Sequence, residues 1–185
     1  MTHSGHSLHA LESLHRLVWT AMFSATIAVG AYLHFPIGPI PFSMQPFFVF
    51  LAGYALGPAY GALSVALYLL AGIIGLPVFA GGNAGFAYLL GPTGGYLAAF
   101  VGSAALTGMA GRRNPIPWTH AVVWGAAALV VAYGLGTWRL AAVLNISMER
   151  AAMVGIAPFI LPDAVKIVAA AACARHMQRR GLLRL

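Results

Sequence analysis

Residues 17–33 read LVWTAMFSATIAVGAYL, a run without a single charged side chain. A helix needs roughly 20 mostly apolar residues to cross the hydrocarbon core of a bilayer, and this run nearly reaches that length. It is longer than the apolar core of a typical signal peptide, and it continues into His34, Phe35 and Pro36 without a small-residue cleavage site. We therefore predict a retained membrane span at residues 17–34.

The rest of the chain has the same apolar character. Of its 185 residues, 61% are hydrophobic and 7% are charged, whereas soluble domains usually carry about 25% charged residues. This composition predicts an all-α integral membrane protein with a polar tail at 1–15, a transmembrane domain at 16–178 and a basic C-terminus at 179–185. The length suits about six helices with short connections. The predicted spans are 17–34, 42–57, 59–75, 92–111, 118–136 and 151–177.

Prolines and glycines mark the breaks between these spans. Residues 36–41, PIGPIP, contain three prolines that cannot continue a helix, which predicts a tight, uncharged turn. Gly57 and Pro58 end the second span. Residues 76–85 read LPVFAGGNAG, and backbone this irregular is tolerated at membrane depth only where it is buried in protein or lines a cavity. We predict an extracytoplasmic loop at 76–91.

The charges are few and unevenly placed. The chain has ten Lys and Arg residues against three Asp and Glu residues, a net charge of +7. Most of the basic residues fall in two clusters, Arg112 with Arg113 and Arg175 with Arg179, Arg180 and Arg184. By the positive-inside rule, both termini and the first cluster lie in the cytoplasm, and the link at 139–150 lies outside. This indicates a multi-pass protein of a prokaryotic inner membrane, with the lipid bilayer and not nucleic acid as its surroundings.

The strongest functional signal is in residues 158–166, PFILPDAVK. Asp163 is the only aspartate of the chain and Lys166 the only lysine, and their spacing of three places them on one helix face. Ionised groups inside a membrane cost roughly 2.5–3.5 kcal/mol each, so they persist where they have partners or functions. They form either a structural ion pair or a site for a solute with N–H donors and a carboxylate. We favour the ligand site.

Other polar and aromatic residues are weaker candidates. Asn83, in a glycine-rich turn, could contact a ligand or stabilise its own loop, and Gln45 could contact a ligand or a neighbouring helix. Aromatic rings could wall a pocket for a flat ring system, although most aromatic rings in helix bundles serve packing. The aromatic candidates are Tyr32, Phe79, Tyr88 and Tyr96.

Several kinds of enzyme are excluded. A Walker A loop needs a lysine at the end of a glycine-rich motif, but Lys166 follows Asp163, Ala164 and Val165. A lone aspartate cannot supply the carboxylate pair of an aspartyl protease. His3, His6 and His9 would share one face of a helix, but we expect a mobile tail there rather than a metal site. No enzymatic activity, cofactor or metal is therefore predicted.

Five motifs follow one another along the chain: GPIPFSMQ (38–45), LAGYALGP (51–58), GLPVFAGG (75–82), GPTGGY (91–96) and PDAVK (162–166). Together and in this order they resemble the BioY family, the biotin-binding S components of energy-coupling-factor (ECF) transporters. The resemblance implies the six-helix ECF S-component fold with both termini in the cytoplasm, which agrees with the topology predicted from charge.

The resemblance also assigns roles to the candidate residues. It implies that Asp163 and Asn83 hold the ureido ring of biotin and that Lys166 meets its polar or carboxylate oxygens. Further ligand contacts would come from Gln45, Phe79, Gly82, Tyr88, Tyr96 and Tyr32. The glycine-rich loop would then close over the bound ligand as a lid.

Ala21 and Ala25 place two small side chains on one face of the first helix, one turn apart, which allows another helix to approach closely. By resemblance, this face docks the transmembrane coupling subunit, which connects to two cytoplasmic ATPase subunits; packing within the bundle is the alternative. The expected function is biotin uptake, with ATP used only by the partner subunits. An S component for another small vitamin and a structural membrane protein remain alternatives, and homo-oligomer formation stays open.

Overall fold

The computed structural model of the chain describes residues 3–182, without the side chains of residues 3–12 and 37. Helices dominate the described residues, with one short strand pair and one 3-10 turn, Ala80–Gly82. The α-helices are α1 (His3–Tyr32), α2 (Gln45–Ile73), α3 (Phe86–Leu89), α4 (Gly94–Gly111), α5 (Trp118–Leu144), α6 (Met148–Gly155) and α7 (Ile160–Arg179). The strands are β1 (His34–Ile37) and β2 (Ile40–Ser43).

The N-terminal segment differs from its prediction. Helix α1 begins at His3, so the described part of the polar tail predicted at 1–15 is helical and continuous with the first predicted span. No proline interrupts this segment, and Ala10, Leu11 and Glu12 have high helix propensity. The side chains of His3, His6 and His9, the metal-binding alternative, lie outside the described residues.

Strands β1 and β2 form an antiparallel hairpin where the sequence predicts only a turn, so the all-α prediction needs this correction. Its two-residue loop is Gly38-Pro39, with Gly38 at φ +64°, as a type II′ turn requires. Pro36 pairs with Pro41, one step from the loop. Hydrogen-bonded and non-bonded pairs alternate along an antiparallel ladder, so these prolines occupy a pair that needs no N–H donor.

Helix α2 is a helical hairpin and not one straight rod. Gly57 has φ +78° and ψ 179°, a conformation that only glycine adopts readily. Pro58 follows it directly. Residues 53 and 61 would lie about 12 Å apart along a straight helix. A Cβ atom built on Gly61 would instead lie 2.7 Å from the Cα atom of Gly53. The chain therefore reverses at Gly57, where the sequence predicts the end of the second span.

Among the described residues, α5 is long and apolar enough to cross a membrane, and α2 meets the same criteria of length and composition only when its two arms are counted together. Helices α6 and α7 form a further candidate that is bent by 51°. The break at 156–159 falls inside the predicted sixth span, 151–177. Helix α5 continues to Leu144, so much of the link predicted at 139–150 is helical. The count of six spans and the cytoplasmic location of the termini stay predictions.

The bundle has two distinct ends. At one end, the hairpin β1–β2 contacts α7, and residues 76–91 contact α1 and α5. At the other end, Gln178 of α7 accepts a hydrogen bond from Ile116 N (3.1 Å) and donates one to Arg113 O (3.2 Å). Arg112 and Arg113 therefore lie at the same end as the described members of the second cluster, Arg175, Arg179 and Arg180. We call this end the basic end, and Arg139 and Arg150 lie toward the opposite end.

Small residues fill the interior of the bundle between its helices. Helix α5 buries Ala121, Gly125, Ala128 and Ala132 while it exposes larger side chains such as Val130. Polar side chains add contacts between helices: Tyr54 donates to Ala121 O at 2.6 Å and Ser103 to Ala128 O at 2.9 Å. Close approach through small residues is the packing expected where lipid surrounds the helices.

Candidate functional site

Asp163 and Lys166 form a buried ion pair in the first turns of α7. Lys166 Nζ lies 2.8 Å from Asp163 Oδ1, and each residue is 5% exposed. Pro162 precedes them inside the first turn, where its missing N–H has no helical partner to lose. A carboxylate in the first turn also interacts favourably with the helix dipole. The predicted placement of both side chains on one helix face is confirmed, and they form the ion pair that was the alternative to a ligand site.

Neighbouring elements supply further partners to both charges. Tyr133 of α5 donates its hydroxyl to Asp163 Oδ2 at 2.8 Å, and Lys166 Nζ donates to Ser43 O at the end of β2, also at 2.8 Å. The ring of Phe42 lies 4.2 Å from Lys166 Nζ, close enough for a cation–π contact. Each carboxylate oxygen thus accepts a hydrogen bond, which offsets much of the cost of burying the pair.

The pair faces a cavity that is lined by β2, α2, α4, α5, α6, α7 and the 76–91 segment. The centre of a water molecule can occupy about 70 Å³ of it, several times the ~10–15 Å³ that one water requires. Its wall is mainly apolar and aromatic, with few polar groups, as is typical of small-molecule sites. Besides Asp163 and Lys166, its lining includes Gln45, Phe50, Tyr88, Thr93, Tyr96, Phe100, Tyr133 and Phe159.

Gln45 lines this cavity and carries a buried amide. It is the first residue of α2 and is 5% exposed, and its Nε2 atom makes no hydrogen bond in the described part of the chain. A buried donor without a partner typically costs about 1–3 kcal/mol and is uncommon in native proteins. The Tyr68 hydroxyl beside it also lacks a hydrogen-bond partner in the described residues, so a rotation of the Gln45 side chain is needed to bring the amide to a ligand in the cavity.

The aromatic candidates separate into two layers. Tyr88 and Tyr96 line the cavity. Tyr96 donates its hydroxyl to Gly155 O at 2.9 Å, which ties α4 to α6. Phe79 does not line the cavity: it is fully buried behind Tyr88, with the two rings stacked at a centroid distance of 5.0 Å.

Three other predicted ligand residues lie outside the cavity lining. Asn83 is exposed and donates its amide to Ala80 O at 2.6 Å, the arrangement of an asparagine that stabilises its own loop. Gly82 has φ +75° beside it. Tyr32 is exposed at the end of α1, and its hydroxyl donates to Pro77 O, which fastens the loop to the helix. Within the turn that contains Asn83, Ala80 lines the cavity.

Ala21 and Ala25 are both exposed on α1. Their side chains therefore do not serve packing within the bundle, which was the alternative to partner docking. The face they form is open to lipid or to another protein.

Sequence reasoning missed Tyr133, Phe42 and Ser43 as part of the site. Ser43 acts through its backbone carbonyl, for which the sequence holds no signal. Tyr133 has a weak signal, because it places a polar hydroxyl inside an apolar helix. It lies one helical turn after residue 129, on the face that residues 129, 132 and 133 turn toward the cavity.

A helical membrane bundle that places a buried ion pair in the wall of a largely apolar cavity is built as a membrane receptor or transport subunit for a small polar solute. The chain belongs to the BioY family, whose model matches residues 2–182.

Similar proteins agree with this membership. The chain is 41% identical to the biotin transporter BioY of Thermotoga maritima over 167 residues, which cover 90% of this chain and 97% of the relative. It is 39% identical to a probable biotin transporter BioY of Pyrococcus horikoshii, over 85% of this chain and 93% of the relative. The crystal structure of the S-component for biotin from an ECF-type ABC transporter superposes with a TM-score of 0.83 at 28% identity, over 91% of this chain and 93% of that chain.

Proposed function

We propose that this protein binds biotin and serves as the substrate-specific subunit of an ECF-type transporter for biotin uptake. The observation that carries the proposal is the largely apolar cavity whose wall contains both the buried ion pair Asp163–Lys166 and Gln45. Membership of the BioY family and the names of the relatives supply the identity of the ligand.

The two charged groups keep capacity for a ligand. A carboxylate offers about four acceptor positions, and Asp163 uses two of them for Lys166 and Tyr133. An ammonium has three donors, and Lys166 uses two of them for Asp163 and Ser43. Asp163 is therefore suited to accept the ureido N–H groups of biotin, and Lys166 to meet an oxygen of the ligand. The rings of Tyr88 and Tyr96 would flank its fused rings.

The proposal requires the 76–91 loop to move if Asn83 is to contact biotin. Asn83 is exposed and bound within its own turn, three residues from Ala80 at the cavity wall. Gly81, Gly82 and Gly85 all have positive φ, and such positions change conformation readily in glycine. Closure of this loop over the ligand would bring Asn83 inward and seal the cavity.

Partner subunits would supply the energy for transport. The exposed face of Ala21 and Ala25 is suited to dock a transmembrane coupling subunit, which two cytoplasmic ATPase subunits would drive. In this arrangement the chain crosses a prokaryotic inner membrane six times, with both termini in the cytoplasm, and it needs no cofactor of its own.

The direct test is calorimetric titration of the detergent-purified chain with biotin, with thiamine and riboflavin as matched small-vitamin ligands. We expect saturable one-to-one binding of biotin and no heat from the other two vitamins. A folded sample that binds another vitamin instead would redirect the substrate assignment. A folded sample that binds none of them would contradict a receptor function.

Substitution of Gln45 separates binding from stability. In Gln45→Met a thioether of similar length replaces the unpartnered amide, so we expect the ligand-free protein to keep or gain thermal stability. Biotin affinity should fall by roughly tenfold, about 1.4 kcal/mol, because one hydrogen bond to the ligand is lost. Differential scanning fluorimetry and calorimetric titration measure the two effects on the same sample. Unchanged affinity would remove Gln45 from the site.

Hydrogen exchange tests the loop. We expect amides of residues 76–91 to become more protected when biotin is added, because the loop closes and its backbone loses contact with solvent. The connection at 112–117, at the basic end, provides the internal control and should exchange at the same rate with and without ligand. Identical exchange of 76–91 in both states would contradict the closure.

A further inference from the structure

A second cleft lies at the basic end, between the start of α5 and the last turns of α7. It has a volume of about 310 Å³ and is lined by Trp118, Ala172, Arg175, His176 and Arg179. None of these residues lines the cavity that contains Asp163. The cleft is therefore a separate site, and its function is independent of biotin binding.

Arg175 is held in a fixed position at this cleft. Its guanidinium donates to Ile116 O and lies over the ring of Trp118, with 4.8 Å between Cζ and the ring centroid. The bond to Ile116 is its one hydrogen bond within the described residues, whereas a guanidinium has five N–H donors. Arg175 thus presents a pre-oriented fork of donors, a geometry that matches the oxygens of a phosphate.

The charge of the cleft is positive and not neutralised by the described part of the chain. Arg179 lies one helical turn after Arg175, on the same face of α7, and His176 is adjacent. Among the acidic side chains that the structure describes, Glu149 begins α6 at the opposite end of α5, and Asp163 is paired with Lys166 in the cavity. An anion is therefore the complementary ligand.

The surroundings of the cleft favour a lipid over a soluble anion. Trp118 is 45% exposed and belongs to the residue type that concentrates at membrane interfaces. One turn further along α5, Val122 is exposed, and one turn before Ala172 on α7, Val168 is exposed. The cationic donors thus lie at the basic end of two apolar, outward-facing helix surfaces. A phospholipid has the matching arrangement, with an anionic phosphate at one end and apolar acyl chains beyond it.

We propose that this cleft binds an anionic phospholipid, with its phosphate held by Arg175 and Arg179 and its acyl chains along the faces that carry Val122 and Val168. Basic pockets between transmembrane helices are suited to such head groups. The bound lipid would fix the connection at 112–117 against α7, because Arg175 and Gln178 contact that connection as well.

Native mass spectrometry of the full chain tests this with phosphatidylglycerol and with phosphatidylcholine of the same acyl chains. We expect one phosphatidylglycerol retained per chain, and about tenfold or greater weakening in Arg175→Gln/Arg179→Gln. The matched control is Arg112→Gln/Arg113→Gln, which removes the same charge from the same end but outside the cleft and should retain the lipid.

Arg175 also holds Ile116, so its replacement could disturb the fold. Arg179→Gln alone removes a side chain that makes no hydrogen bond or ion pair in the described residues, and it should weaken the lipid complex without lowering thermal stability. Equal losses in both double variants, or equal retention of both lipids, would overturn the proposal. Displacement of the lipid by millimolar inorganic phosphate would assign the cleft to a soluble anion. If the cleft retained no lipid and were covered only when a partner subunit bound, it would be a protein contact instead.

Discussion

The double substitution Asp163→Asn/Lys166→Met is expected to abolish biotin binding while the protein remains folded. Two charge-assisted contacts with the ligand disappear, each worth roughly 1.5–3 kcal/mol. Together they amount to about 3–6 kcal/mol, or roughly two to four orders of magnitude in Kd. Calorimetric titration of the detergent-purified variant measures the loss.

The double variant is preferable to either single one. Asp163→Asn alone leaves the Lys166 ammonium buried without its counter-charge, and breaking a buried pair typically costs about 3–5 kcal/mol. Such a protein could lose binding because it unfolds. Removal of both charges avoids that cost, since the replacement side chains have similar volumes and carry no charge.

Two controls make the outcome interpretable. Ser103→Ala removes a buried hydrogen bond between α4 and α5 that does not border the cavity, and it should leave the Kd for biotin unchanged. Biotin methyl ester lacks the carboxylate charge, so a smaller loss of affinity for the ester than for biotin in the double variant would show that Lys166 meets the carboxylate. Retention of wild-type affinity by the folded double variant would contradict the proposed site.

The charged pair was predictable because of its scarcity. A membrane segment excludes charges unless they have partners, so the only aspartate and the only lysine had to lie together and away from lipid. The structure shows them at 2.8 Å, facing a cavity. Both alternatives from the sequence contain part of this result: the residues do pair, and a cavity lies beside the pair.

The inward faces of the helices were harder to predict. In a soluble helix the buried face is the apolar one, but lipid is as apolar as the protein interior, so the usual periodicity disappears. Helix α5 buries alanine and glycine and exposes Val122, Val123 and Val130. Residue size and not hydrophobicity separates its faces, which is why Tyr133 was overlooked among the seven tyrosines.

The conformations of the 76–91 loop and of the β1–β2 hairpin depend on which of several possible hydrogen bonds forms, and the sequence alone does not decide this. Asn83 could donate its amide either to a ligand or to its own turn, and in the structure it donates to Ala80 O. Pro36 and Pro41 exclude a helix, but whether such prolines form a turn or strands depends on register. In β1 and β2 they face each other at a pair without hydrogen bonds.

Gly53→Ala is expected to destabilise the whole bundle, because Gly53 lies where the two halves of α2 meet α4. A Cβ atom at this position would collide with the carbonyl oxygen of Ala104 and the hydroxyl of Thr107, and it would lie 3.0 Å from Gly108 N. The Thr107 side chain can rotate away, but the carbonyl belongs to the backbone of α4. Overpacking of this kind costs about 1–3 kcal/mol, measurable as a lower thermal unfolding midpoint in detergent.

Gly134→Ala is the matched control for this contact. Gly134 lies inside α5, and a Cβ atom there would have no heavy atom within 4 Å. The same chemical change should therefore be neutral or stabilise the protein by roughly 0.5–1 kcal/mol, since alanine loses less conformational entropy in a helix. Opposite shifts of the unfolding midpoint would locate the constraint in the close approach of α2 and α4. Similar shifts in both variants would mean that the helical hairpin at Gly57 is not packed this closely.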